Sequence, residues 1–319
     1  MNRHNNFPPE ENKYNKKQTA TVALAVIFFV SALIFGYLYF SCNGRNITFK
    51  KYLLLNPARD LYSKNDLIVN FQPLREDLTG IGNTNSGVSV YFEYLPTGAN
   101  ISINKDNGYF PASLLKLPAA FAVYKKIEEG EWKLSDEFEI TKESLNPDFG
   151  DLYKKPPGTK MSVKDLLSEM LAKSDNTAYM VFVNNLESWE LNEAYGHLGL
   201  DSLVSEDGQI TARKYSVLLR SLYNATYLSD ESSQEILGIL SDSPLRGYLD
   251  QALPMDVVFA HKFGENKSHG VLHDAGIIYV PNRPYLLTVM IKDIDEVSAK
   301  KLTNRISAMV YNYVSGYSE

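Results

Sequence analysis

Residues 110–116 read Phe-Pro-Ala-Ser-Leu-Leu-Lys and begin a long segment with helical apolar spacing. Within this stretch, Ser113 stands at the predicted helix start and Lys116 follows three residues later. Residues three apart share a helix face, so the Lys116 amine can reach the Ser113 hydroxyl and act as its base. The helix N-terminus also presents backbone N–H groups to a developing oxyanion. The stretch therefore predicts a serine nucleophile.

The same Ser-x-x-Lys spacing begins at Ser102 and at Ser298, so the pattern alone is weak. Ser102 lies in a predicted hairpin, where residues three apart point to opposite faces. Ser298 lies on the last predicted helix, with no other motif near it. A serine at a helix start is also an ordinary N-cap, and this alternative stays open for Ser113.

Two later motifs accompany the first. Ser-Asp-Asn occurs once, at 174–176, and Lys-Phe-Gly at 262–264 lies in a stretch, 260–265, that ends a predicted strand. Taken alone, Ser-Asp-Asn is typical of a solvated break between helices, and Lys-x-Gly is typical of a strand edge. The order and the spacing of the three motifs together favour one site.

The apolar pattern changes from strands to helices and back along the chain. A hairpin is predicted over 88–94 and 101–103, and helices are predicted between 114 and 249. Three strands and a closing helix follow, at 257–260, 276–280, 286–291 and 296–314. This order predicts an α+β domain in which both ends of the chain build one antiparallel sheet.

Together, the motifs resemble the Ser-x-x-Lys, Ser-Asp-Asn and Lys-Thr-Gly signatures of the class A β-lactamase and penicillin-binding family. Pro-Gly-Thr at 157–159, Thr-Ala-Arg at 211–213 and His-Asp-x-Gly at 273–276 are similar as well. The resemblance covers most of residues 87–315. It implies an antiparallel β-sheet flanked by the terminal helices, an all-helical lobe, and a site between them that needs no cofactor and no metal.

The resemblance also implies a role for each motif residue. Ser113 would be the nucleophile and Lys116 its proton acceptor. Ser174 would relay a proton to the leaving group, and Asn176 would contact the substrate amide. Lys262 would lie across the cleft, where its charge lowers the pKa of Lys116 and attracts a substrate carboxylate.

The Lys-Phe-Gly motif departs from the family at one position. The backbone N–H groups of Ser113 and Glu265 would form the oxyanion hole, with Gly264 beside them at the substrate. Phe263 replaces the hydroxyl residue that helps to bind the substrate carboxylate. A hydrogen bond to a charged group, worth about 1.5–3 kcal/mol, is therefore missing. Acylation is thus a firmer expectation than recognition of D-Ala-D-Ala or β-lactams.

A second departure concerns deacylation. Class A β-lactamases carry a water-activating glutamate on a loop between Ser-Asp-Asn and the Thr-Ala helix. The interval from Asn176 to Thr211 is too short for that loop after the helix predicted at 187–198. Glu206 and Asp207 remain, either as a substitute base or as part of a solvated turn. Without a base, an acyl-enzyme made from a β-lactam should persist.

Three functions follow from these expectations. The first is a serine hydrolase or acyltransferase on an acyl-peptide or related amide, such as a D-Ala-D-Ala carboxypeptidase-like enzyme of peptidoglycan. The second is a β-lactamase, which differs in its deacylation rate. The third is a non-catalytic binding or scaffold protein, favoured by Phe263 and the missing loop. The complete motif set opposes this third function: Ser113, Lys116, Ser174, Asn176 and Lys262.

The N-terminal sequence predicts a membrane anchor. Residues 20–40 carry no charged side chain, and about 20 such residues cross a bilayer as a helix. Basic residues flank this run almost evenly, so the orientation follows from the extracytoplasmic substrates of the family. A cleaved signal peptide and lipidation at Cys42 are the alternatives. The predicted organisation is a cytoplasmic tail (1–17), a single transmembrane helix (18–41), a stalk (42–86) and an extracytoplasmic enzyme domain (87–319).

The composition excludes other classes of function. The net charge of −6 gives no basic surface of the kind that nucleic-acid binding needs. Cys42 is the only cysteine, so the chain has no disulfide framework and no thiolate cluster for zinc or iron–sulfur.

Overall fold

The computed structural model describes residues 21–37, 53–55, 67–200 and 202–317. The chain divides into two units, Met1–Leu53 and Leu54–Glu319. In the first unit, residues 21–37 form helix α1, whose large apolar side chains are exposed. Among the described residues, no helix combines the length and the apolar character needed to cross a membrane. The predicted tail, both ends of the predicted transmembrane helix and Cys42 lie outside the described residues.

The second unit contains seven strands and eight further helices among its described residues. The strands are β1 Val88–Tyr94, β2 Ala99–Ile103, β3 Glu137–Glu139, β4 Lys160–Ser162, β5 Phe259–Asn266, β6 Val271–Ile278 and β7 Tyr285–Lys292. The helices are α2 Gln72–Thr84, α3 Lys116–Glu128, α4 Val163–Leu171, α5 Asn176–Val183, α6 Glu190–His197, α7 Ala212–Asn224, α8 Asp230–Ser241 and α9 Glu296–Gly316.

Five strands form one antiparallel sheet in the order β2-β1-β7-β6-β5. Near the start of the unit, β1 pairs with β7 near its end, with Val90 opposite Val289. This pairing confirms the predicted α+β fold, in which both ends of the chain build one sheet. All seven residues of β1 are buried, because the sheet is covered on both faces.

The terminal helices α2 and α9 share one core with the sheet. Leu74 and Leu78 of α2 are fully buried in it, together with Ile306 and Val310 of α9. A second core joins the other sheet residues to the all-helical lobe built from α3 to α8. The cleft between this lobe and β5 positions the predicted site.

Helix α2 lies within the segment that the sequence predicts as a stalk, 42–86. Its two glycines resemble turn residues in the sequence, which concealed the helix. Gly82 is required by packing, because a Cβ there would lie 2.2 Å from the Ile103 side chain on β2. The end of the predicted stalk therefore belongs to the core of the enzyme domain.

The predicted positions of β5 and β6 are corrected in the same way. The sequence predicted a strand at 257–260 with the Lys-Phe-Gly motif at its end, whereas β5 covers Phe259–Asn266 and carries the motif in its middle. Likewise, β6 begins at Val271, five residues before the prediction. Polar side chains such as His261 and Lys262 conceal the strand pattern, because they are buried only by tertiary contacts.

Candidate active site

Ser113 lies in the 3₁₀ turn Ala112–Leu115, immediately before α3. Helix α3 begins at Lys116, and its N-cap is Leu115, so Ser113 is not the N-cap of this helix. The residue before Ser113, Ala112, has a φ of +47°, a left-handed conformation that is uncommon outside glycine. Such backbone strain clusters at functional sites, where the surrounding fold maintains it.

Lys116 is 2% exposed, and its amine contacts three motif residues on the helical side of the cleft. Lys116 Nζ lies 3.0 Å from Ser113 Oγ, 3.1 Å from Ser174 Oγ and 2.6 Å from Asn176 Oδ1. The amine also donates a hydrogen bond to the backbone carbonyl of Ser174. The predicted nucleophile, proton relay and amide contact therefore all lie within hydrogen-bond reach of the predicted base, Lys116 Nζ.

Burial lowers the pKa of Lys116 to about 7, and the nearby Asp175 carboxylate opposes this shift. Burial is thus the largest cause of the shift, and the predicted help from the charge of Lys262 stays a prediction. A lysine with this pKa is neutral in a large fraction of molecules near pH 7 and can accept a proton.

Asp175 fixes the geometry of the Ser-Asp-Asn turn, a role that the sequence did not predict. Its Oδ2 accepts backbone hydrogen bonds from Asp151 (2.7 Å) and Leu152 (2.9 Å). The preceding Gly150 has a φ of +93°, and a Cβ there would lie 2.0 Å from Asp175 Oδ2. Asp175 is thus a positioning residue that ties the loop at 150–152 to the Ser-Asp-Asn turn. Within that turn, Ser174 has a φ of +58°.

Lys262 lies in the middle of β5 and is 1% exposed. Its Nζ donates to Ser174 Oγ (2.9 Å) and to the Phe263 carbonyl (3.1 Å). Burial lowers the pKa of Lys262 well below its usual value, and the neighbouring Lys116 lowers it further. The Ser174 hydroxyl therefore lies between the two lysines, as a proton relay requires.

Gly264 brings the backbone of β5 next to the nucleophile. A Cβ at this position would lie 3.2 Å from Ser113 N and 3.4 Å from Leu114 N. Because β5 is an edge strand, this side of its backbone does not face another strand of the sheet. The geometry is compatible with an oxyanion hole built from the N–H groups of Ser113 and Glu265, which stays a prediction.

Phe263 belongs to an aromatic cluster with Tyr248 and Phe149. The Phe263 ring is stacked on Tyr248, with centroids 5.1 Å apart, and is 5.7 Å from the Phe149 centroid. The Tyr248 hydroxyl also donates to Glu265 Oε2 at 2.9 Å. Sequence reasoning missed Phe149 and Tyr248, because both lie outside the motifs; the only signal was Phe263 itself.

The segment between α6 and α7 contains a tight turn in place of a long loop. Within it, Ser205 N donates to the Gln209 carbonyl at 2.8 Å, and Ser205 Oγ donates to the Asp207 carboxylate. Glu206 and Asp207 are both exposed. In the described part of the chain, neither carboxylate is hydrogen-bonded to Ser113.

The sequence model of the family described as the β-lactamase enzyme family matches residues 73–314. β-Lactamase VEB-1 of Pseudomonas aeruginosa is 24% identical over 67% of this chain and 80% of its own length.

Solved structures share the fold. PBP-A superposes with a TM-score of 0.71 at 24% identity, covering 77% of this chain and 97% of PBP-A. A PBP-A variant in an acyl-enzyme complex with penicillin G gives 0.70 at 23% identity, with the same coverage of 77% and 97%. The β-lactamase from Sphaerobacter thermophilus gives 0.70 at 19% identity, covering 79% of this chain and 100% of its own.

Proposed function

The chain belongs to the β-lactamase enzyme family and is a serine hydrolase, and on this premise we propose that Ser113 forms an acyl-enzyme with acyl-peptides or related amides of the kind found in peptidoglycan. β-Lactams are the small-molecule counterparts of such substrates. The observation that carries the proposal is the position of Lys116 Nζ, 3.0 Å from Ser113 Oγ and 3.1 Å from Ser174 Oγ.

The hydrogen-bond capacity of Lys116 supports its role as the base. A neutral amine has two N–H donors and one lone pair. The Ser174 carbonyl and Asn176 Oδ1 can only accept, so they take the two donors. The lone pair then faces the hydroxyl groups of Ser113 and Ser174, which are its two remaining neighbours.

Acylation follows from this arrangement. Lys116 accepts the Ser113 proton as Oγ forms its bond to the acyl carbon, and backbone N–H groups stabilise the oxyanion. The carbon–nitrogen bond of the substrate then breaks. The proton passes from Lys116 through the Ser174 hydroxyl to the leaving nitrogen, while Lys262 holds that hydroxyl in place. Water hydrolyses the acyl-enzyme in the second half of the reaction.

The test is the location of the acyl group. After incubation with an activated ester or a reactive β-lactam, peptide mass mapping is expected to find one adduct, on Ser113. The adduct is expected to be absent from Ser113→Ala. Ser102 and Ser298 are internal controls, because they have the same spacing to a lysine without the companion motifs. An adduct that survives Ser113→Ala would contradict the proposal.

We also propose that residues 18–41 anchor the chain in the cell membrane, with the enzyme domain outside the cytoplasm. The uncharged run 20–40 and the exposed apolar side chains of α1 support this proposal. After lysis, the full chain is expected in the membrane pellet, resistant to alkaline extraction. Protease added to intact cells is expected to digest the domain.

A variant with two lysines introduced into the anchor tests whether its apolar character holds the chain in the membrane. Val26→Lys combined with Val30→Lys is expected to release the chain, because a central lysine costs about 2.5–3.5 kcal/mol on insertion scales. A wild-type chain recovered in the soluble fraction would overturn the proposed anchor.

A further inference from the structure

We infer that the site acts on acyl donors whose leaving group has no free carboxylate, such as an interior peptide bond or an amidated peptide end. This inference rests on the proposed function and narrows its substrate class. The leaving group lies beside Ser174, which protonates it, and the neighbours of Ser174 on this side of the cleft belong to β5. The side chains of β5 therefore select the leaving group.

Lys262 has no N–H donor left for a substrate carboxylate. Even in its protonated form, the Lys262 amine has only three N–H donors. Two of them are used by Ser174 Oγ at 2.9 Å and by the Phe263 carbonyl at 3.1 Å. The third side of the ammonium is covered by the Phe263 ring, whose centroid is 4.8 Å from Nζ. A carboxylate would have to displace this ring to reach the charge.

The Phe263 ring is held in place from both sides of the cleft. Tyr248 stacks on it at 5.1 Å, and Phe149 packs against it at 5.7 Å. Phe149 is itself tied to the helical side of the site, because its carbonyl accepts the Asn176 N–H at 2.9 Å. Only 3% of Phe263 is exposed. The aromatic cluster thus covers the position where a substrate carboxylate would meet Lys262.

The Glu265 carboxylate adds a negative charge to β5 next to Phe263. Phe263 and Glu265 are two residues apart on β5 and so share one face of the strand. Tyr248 contacts both, through its ring and through its hydroxyl, which donates to Glu265 Oε2. This face therefore carries a partly exposed carboxylate beside a buried aromatic ring. We expect the negative charge to disfavour an anionic leaving group bound along β5, whereas the carboxylate can accept a hydrogen bond from an amide N–H or an amine.

The reaction balances with such a donor. Ser113 Oγ forms the new acyl bond, and the carbonyl carbon loses its bond to the leaving nitrogen. The proton removed from Ser113 reaches that nitrogen through Lys116 and Ser174. Water later supplies the oxygen and the proton that regenerate the carboxylic acid and Ser113. The cut then falls inside a peptide or a cross-link, not before a free C-terminal residue.

Two thioester donors with the same acyl group test the inference directly. One leaves as thioglycolate, which carries a carboxylate, and the other leaves as thioglycolamide, which does not. For the wild-type full chain, kcat/KM is expected to be about tenfold or more higher for the amide donor. Phe263→Thr is expected to raise the ratio of kcat/KM for the thioglycolate donor to kcat/KM for the amide donor about 10- to 100-fold.

Two further variants separate the causes. Phe263→Val matches threonine in shape without its hydroxyl, so a gain in both variants identifies the ring, and a gain only in threonine identifies the hydroxyl. Glu265→Gln removes the charge without altering the aromatic cluster, and it keeps the test valid where Phe263 variants do not fold. It is expected to raise the ratio of kcat/KM for the thioglycolate donor to kcat/KM for the amide donor.

The two donors test the leaving-group preference and the proposed function separately. A wild-type chain that uses the thioglycolate donor as well as the amide donor would overturn the inference while leaving the proposed function intact. A folded wild-type chain that is acylated on Ser113 by neither donor would contradict the proposed function itself.

Discussion

Replacing Lys116 by alanine is expected to lower the rate of Ser113 acylation about 10²–10⁴-fold, the usual contribution of a positioned general base. The lysine amine is the group that bridges the Ser113 and Ser174 hydroxyls, at 3.0 and 3.1 Å. Without it, the Ser113 proton has no acceptor in this position. The measurement is the time course of acylation by an activated ester, followed by intact-protein mass spectrometry.

The matched control is Lys173→Ala. Lys173 is next to Ser174 in sequence, but its side chain is 56% exposed and pairs with Glu169 at 2.6 Å. It has the same charge as Lys116 without contact to the nucleophile, so its loss is expected to leave the rate unchanged. Lys262→Ala is expected to lose less than Lys116→Ala, because Lys262 contacts the relay hydroxyl of Ser174. A folded Lys116→Ala variant that acylates at the wild-type rate would contradict the assignment.

The pH dependence of acylation tests the same residue. Burial lowers the pKa of Lys116 to about 7, so the amine is protonated below this pH and has no lone pair. The wild-type rate is therefore expected to rise about tenfold per pH unit up to pH ~7 and to level off above it. In Lys116→Ala, this rise is expected to disappear from the residual reaction.

The catalytic pair could be predicted from sequence because its geometry is local. Ser113 and Lys116 are three residues apart, and the short helical turn between them fixes the distance between their side chains. Strands β1 and β7 were also predictable, because both are rich in β-branched, aromatic and other apolar residues. In both cases, the information lies within a few adjacent residues.

Features that depend on distant contacts could not be predicted in this way. Phe149 and Phe263 are far apart in the chain, and only the folded cleft brings their rings together. The lowered pKa of Lys116 arises mainly from burial, which no motif encodes, so its largest cause could not be predicted from sequence. The polar residues of β5 concealed a strand for the same reason: their partners are supplied by the fold.

Penicillin carries a carboxylate on its leaving side, so its adduct on Ser113 is expected to form only at high penicillin concentration, and then to last for many minutes or longer. Deacylation requires a base that activates water, and such a base is typically worth about 10²–10⁴ in rate. The two acids between α6 and α7 are exposed, and Asp207 is engaged with the hydroxyl of Ser205 in a tight turn. Replacing Glu206 or Asp207 by alanine is therefore expected to change the adduct lifetime little.

The lifetime also decides between a penicillin-binding enzyme and a β-lactamase. After a pulse of penicillin at high concentration, intact-protein mass spectrometry follows the adduct in the wild type and in both alanine variants. Rapid release by the wild type, slowed about 100-fold or more in one variant, would identify that carboxylate as a relocated base. The chain would then be a β-lactamase. A folded domain that forms no adduct with penicillin, yet is acylated by a neutral ester, would instead agree with the covered Lys262 and the aromatic surface of Phe263.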